Sequence, residues 1–167
     1  ESDVEIRTWL ERIKVWGSKT AYPVVMRVLA RRAAGTATTE QVVNALRTLI
    51  SYFVRRIVIG RATAGLNKTL LQAVALVGDE PDIDDALRAY LSKGRKHYAT
   101  DAQVREAVET VAFYHQGRKE QQNLILRWLE ESYEGKEKAD LKGLTIEHVL
   151  PQTLSDETRD AFAESLA

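Results

Sequence analysis

The sequence holds no cysteine, only three prolines and three histidines, and no excess of either charge: 24 basic residues stand against 24 acidic ones in 167. Without cysteine there is no thiol nucleophile, no disulfide staple and no thiolate metal site, and a reducing cytoplasm is the expected location. A net charge of zero and a pI of about 7.1 exclude nucleic-acid binding by bulk charge, so any such role must rest on local patches. No apolar run approaches the roughly 20 residues of a membrane-spanning helix, and no membrane partner is expected. The opening ESDVEIRTWL has no initiator Met and no signal-peptide pattern. The chain is expected to be a piece of a longer protein. What the sequence does have is a 44 % hydrophobic content, enough for a buried core and incompatible with disorder.

Helical periods dominate to about residue 140. Residues 3–17 carry Ile6, Leu10 and Ile13 as an apolar stripe flanked by Trp9 and Trp16, with Gly17 as a stop. Pro23 suits the first turn of a second helix, with Val24, Val25, Val28 and Leu29 inward and Arg27, Arg31 and Arg32 opposite. Thr38 and Gln41 form a capping box that opens the strongest helix, about Thr39 to Ile59. Val42, Leu46, Leu49, Phe53 and Ile57 form its buried face, and Val43, Ile50 and Val54 extend burial nearly all round. Further helices are expected at 67–77, from a cap at Asp82 to Leu91, from a second capping box at Thr100 and Gln103 through Val104, Val108 and Val111, and at 120–133. The three Trp residues read as core. EGKEKADLKG is a polar linker, and a last helix is expected after a cap at Ser155. No internal repeat is present.

The period changes at Leu144–Gln152, LTIEHVLPQ, a short β-branched run bounded by Gly143 and Pro151. The expected fold class is therefore mainly α: a multi-helix bundle over 1–140, with a short β element opening a second region at 141–167. This run sets Glu147 beside His148. A histidine is mostly neutral near pH 7 and can accept a proton; a carboxylate oxygen suits a hard divalent cation. In a flat strand adjacent side chains point to opposite faces, so the two share a site only where the backbone bends, which Pro151 favours. The competing reading is a hydrogen-bonded structural pair, the usual meaning of a lone His beside a Glu in a strand.

Basic clusters are the second signal. Lys93, Arg95, Lys96 and His97 crowd one loop, Arg118 and Lys119 follow Gly117, and Arg55, Arg56 and Arg61 flank a helix end. The first two groups suit a phosphate backbone, and Tyr98 could stack on a base. The plainer reading is a solvated face, since acidic residues balance the basic ones. Arg55 and Arg56 are expected to be structural, anchoring a buried helix to acidic groups, while His97 is expected in solvent and His115 at a helix end.

The segment TIEHVLPQ resembles the start of the C-terminal nuclease domain of GmrSD-type, modification-dependent restriction enzymes. Ser51–Lys68, SYFVRRIVIGRATAGLNK, and Gln122–Gly135, QNLILRWLEESYEG, are similar to the helical region before that motif. The resemblance implies a His-Asn-His-like, ββα-metal site in a DNA endonuclease that nicks or cuts phage or modified DNA. It implies His148 as general base, Glu147 as metal ligand, and Mg²⁺ or Mn²⁺ as cofactor. It also implies DNA as substrate and an N-terminal nucleotidase-like sensor domain as partner. Of that domain's Asp-Gly-Gln-Gln-Arg type motif, and of the downstream Asn and second His or Asn of the nuclease site, this sequence carries neither, so residues 1–167 alone are expected to be inactive. Two other readings stand: a non-catalytic helical module that binds DNA or couples a sensor to an effector, and a helical protein-interaction domain, which the neutral pI suits.

Overall fold

The computed structural model describes residues 2–61, 63–113, 117–133, 155–156 and 158–160. Among them run α1 (Ser2–Trp16), α2 (Tyr22–Ala33), α3 (Thr39–Val58), α4 (Leu66–Asp79), α5 (Ile83–Ser92), α6 (Asp101–Thr110) and α7 (Lys119–Glu131), with 3₁₀ turns at Lys19–Ala21 and Gly94–Lys96. The chain divides into two compact units, residues 1–126 and 127–167.

Helix α3 is the axis of the first unit. It packs against α1, α2, α5 and α6, while α4 lies against α2 and α5. Val42, Leu46, Leu49, Phe53 and Ile57 are buried as expected, and so are Val43, Ile50, Tyr52 and Val58. A helix apolar over most of its circumference is stable when neighbours cover those faces, and four packed helices do so here, leaving Arg47 exposed and Val54 half-buried. Both capping boxes form. Thr38 Oγ1 accepts from the Gln41 N–H at 3.1 Å while the Thr38 N–H donates to Gln41 Oε1 at 2.9 Å; Thr100 and Gln103 repeat the exchange at 3.2 and 2.9 Å. Each satisfies two N–H groups that a helix start otherwise leaves without partners. Thr38→Ala is expected to lower stability by about 1 kcal/mol, read as a shift of the urea midpoint with an unchanged slope.

Asp82 occupies the N-cap position of α5 without a side-chain cap. Its carboxylate accepts instead from Gln41 Nε2 at 3.1 Å, and the Pro81 carbonyl accepts from the same amide at 3.2 Å. The two helix starts are thereby tied together. Helix α6 ends at Thr110, one residue short of Val111, and Val108 is exposed while Ala107 is buried.

The fold class is corrected. Among the described residues every regular element is helical and no strand is present, so the architecture is α rather than α with a short β element. Residues 144–151, where that element was expected, lie outside the described residues. A lone strand with no partner leaves its backbone donors and acceptors unpaired, and a short apolar run cannot be told from a helix segment by composition. In the second unit, Ser155 Oγ accepts from the Thr158 N–H at 3.2 Å, as its capping role required.

Candidate nucleic-acid interface

The C-terminal end of α3 organises the basic residues of the first unit. Gly60, in the left-handed region at φ +68°, reverses the chain. The Gly60 N–H bonds the Ile57 carbonyl at 3.0 Å and the Arg61 N–H bonds the Arg56 carbonyl at 2.7 Å. This paired closure satisfies the last carbonyls of the helix and needs a residue without a Cβ penalty at the turn. It delivers Arg61 outward at the helix end.

Arg55 and Arg56 point to different tasks. Arg55 bonds Ser51 Oγ at 3.0 Å and the Ala99 carbonyl at 2.9 Å, and pairs with Asp101 at the start of α6. This is the anchoring role expected for it. The hydrogen bond and charge of Arg55 hold the Asp101 carboxyl below its ordinary value. Arg56 is buried; its guanidinium donates to the Lys96 carbonyl at 3.1 Å and to the Tyr52 hydroxyl at 3.4 Å. Tyr52 in turn donates to the same carbonyl at 2.7 Å. Burial raises the Tyr52 pKa, with Arg56 acting against the rise, so the phenol stays a neutral donor.

These bonds fix the 93–97 segment. Lys93 and Arg95 are exposed, whereas Lys96 is half-buried with its Nζ 4.2 Å from the Tyr90 ring centroid. Tyr98 is not available to a base: it is 8 % exposed, donates to Ser51 Oγ at 2.7 Å, stacks on Tyr52, and lies beneath the guanidinium groups of Arg55 and Arg88. His97 is half-buried rather than in open solvent, at φ +52°. Burial, and then the charges of Arg61 and Arg56, lower its pKa. The two guanidinium charges act with its burial to disfavour the charged imidazole.

Arg118 and Lys119 begin α7, both exposed. Gln121, buried, accepts from the Arg118 N–H and donates to the Trp16 carbonyl, each at 3.5 Å, which ties this turn to the end of α1. A cavity of about 670 Å³ opens here. Trp16, Phe53, Ile57 and Leu66 supply its apolar lining, and Lys19, Arg56, Arg61 and Arg118 its charged lining. No Asp or Glu is among the described lining residues. The structure thus brings Arg118 together with Arg61 and with Lys19, which carried no sequence signal. Gly117 closes the wall at φ +69°, and a Cβ there would stand 2.9 Å from Ile57 Cδ1. Gly117→Ala is expected to cost about 1–3 kcal/mol from backbone strain and crowding, seen as a lower melting temperature.

Glu147, His148 and His115 lie outside the described residues. Among the described residues no group of three or more His, Asp or Glu side chains could hold a metal ion, and no helix is long and apolar enough to cross a membrane. No curated protein and no solved structure matches the chain. Residues 98–166 match the family described as GmrSD restriction endonucleases, C-terminal domain. The matched stretch includes Arg118, Lys119, Gln122–Gly135, Glu147 and His148, and excludes Ser51–Lys68 and the Lys93–Lys96 segment. The match supports a GmrSD-type C-terminal region over residues 98–166, a stretch similar to that domain of restriction endonucleases.

Proposed function

We propose that the chain contributes the nuclease region of a metal-dependent DNA endonuclease that nicks phage or modified DNA in restriction, in the cytoplasm, together with an N-terminal nucleotidase-like sensor domain. The match over residues 98–166 carries this reading, because TIEHVLPQ falls within it. His148 is the general base. A neutral imidazole nitrogen takes the proton from the attacking water as its oxygen bonds to phosphorus and the sugar oxygen departs. Glu147 is the metal ligand. Its hard carboxylate suits Mg²⁺ or Mn²⁺ by donor chemistry, and such a cation supplies charge stabilisation to the departing oxygen when bound. Lys93, Arg95, Lys96, Arg118 and Lys119 are the phosphate contacts. Of these, the four exposed ones, Lys93, Arg95, Arg118 and Lys119, are free to meet a strand, while Lys96 is partly committed to Tyr90.

The test is plasmid nicking by the full-length gene product in Mg²⁺ or Mn²⁺, beside its His148→Ala variant. Relaxed circles from the parent and none from the variant are expected. Equal nicking by both, or none by either with modified DNA supplied, would overturn the assignment.

A further inference from the structure

The cavity at the end of α3 has a one-sided charge pattern. The chain as a whole carries equal numbers of acidic and basic residues, yet the described residues lining this cavity include four cations and no carboxylate. Some guanidinium groups are committed internally: Arg31 bonds the carbonyls of Val77, Glu80 and Thr36, and Arg55 is held by Ser51, Ala99 and Asp101. Lys19, Arg61 and Arg118 differ. Among the described residues their side chains make no ion pair and no hydrogen bond. Three like charges gathered on one concave surface repel one another, and a concave, partly apolar wall strengthens their common field. An anion entering the cavity relieves that repulsion.

The backbone adds to the same field. Helix α4 begins at the cavity wall, where Gly65, Leu66 and Asn67 line it. Gly65 takes the N-cap position at φ +80°, with no side-chain cap and no acidic residue in the first turn. A 14-residue helix therefore presents the positive end of its dipole uncompensated toward the three cations. Arg118 reaches the end of α1 on the opposite side: a Cβ built at Gly17 would stand in ordinary contact with its Nη2, at 3.7 Å.

Size and apolar lining define the rest of the ligand. About 670 Å³ falls within the roughly 300–1,000 Å³ of small-molecule sites and exceeds what a bare phosphate fills. Trp16 and Phe53, buried and stacked with ring centroids 6.2 Å apart, back its apolar wall from the core side. We propose that this cavity binds a phosphate ester, its anionic group held by Lys19, Arg61, Arg118 and the start of α4, and its ester body filling the remaining volume. A nucleotide has this chemistry, either free or as a unit of a single strand. The assignment shares Arg118 with the phosphate contacts of the nuclease reading but involves neither His148 nor a metal, so it can fail without that reading failing.

The experiment is calorimetric titration of the full chain in low salt with EDTA present, using three probes: inorganic phosphate, thymidine 5′-monophosphate, and an eight-residue oligothymidylate without terminal phosphates. Tighter binding of an ester than of inorganic phosphate is expected. Arg61→Gln and Arg118→Gln should each weaken it about tenfold, the scale of one charged hydrogen bond, with unchanged melting temperatures because both side chains are exposed. Arg105→Gln, on the exposed side of α6, should leave it unaltered. Binding of the monophosphate but not the oligonucleotide identifies a free ligand, and the reverse identifies a strand; either supports the site. Absence of binding by all three probes at millimolar concentration, or affinities that Arg61→Gln and Arg118→Gln leave unchanged, would overturn it.

Discussion

Leu46→Ala should lower the stability of the protein by about 2–5 kcal/mol. Leu46 has no exposed surface and sits within α3, which packs on four neighbours. Truncation removes the transfer free energy of its methyl and methylene groups and leaves a void that close-packed helices refill only in part. Domains of this size have about 5–15 kcal/mol of total stability, so the variant should be a substantially populated unfolded species at moderate urea concentrations. Met26→Ala is the matched control. Met26 is 67 % exposed on α2, and its truncation should fall within about 0.5 kcal/mol of the parent. Denaturant titrations of the two, compared at equal slope, separate packing from helix propensity, because Ala is the better helix former in both. A Leu46→Ala loss no larger than that of Met26→Ala would mean that α3 is not the buried axis.

What local rules govern was legible in the sequence. The buried face of α3, both capping boxes and the stop at Gly17 follow from spacings of three or four residues, and the structure has them. The departures all involve partners distant along the chain. Asp82 had the right residue type at the right place for a cap, but Gln41, forty residues earlier, claims its carboxylate. Tyr98 stood beside lysines in sequence, yet Ser51, Tyr52, Arg55 and Arg88 enclose it. Val104, Val108 and Val111 share a period, but a period says which residues lie on one face and not what covers it; Val108 is 68 % exposed.

The candidate sites divide along the same line. Arg118 and Lys119 were visible as a cluster because they are adjacent. That Arg118 meets Arg61 and Lys19 was not, since no local pattern links positions 19, 61 and 118. One trace of it was available: Gly60 after an apolar helix marks a left-handed closure, which fixes the exit direction of Arg61. The expected strand failed for a different reason. Its β-branched composition expresses a preference that exists only against neighbouring strands, and no strand is present among the described residues to offer one.

His148→Ala should reduce nicking by the full-length gene product about 10²–10⁴-fold, the usual contribution of a positioned general base. The magnitude alone does not separate a base from a metal ligand, so the comparison with Glu147→Gln matters. Gln keeps the shape of Glu and removes its charge, which weakens a cation site without deleting a proton acceptor. If Glu147 holds the cation, raising Mn²⁺ should restore much of the Glu147→Gln activity and little of the His148→Ala activity. The pH profile gives a second, independent separation. A base with an ordinary histidine pKa of about 6.5 makes the rate climb as pH rises through that value and then level off, because only the neutral imidazole accepts the proton. That climb should persist in Glu147→Gln and vanish from the residual rate of His148→Ala. Rescue of His148→Ala by metal, with the climb intact, would exchange the two roles, placing the histidine on the cation and the proton transfer elsewhere.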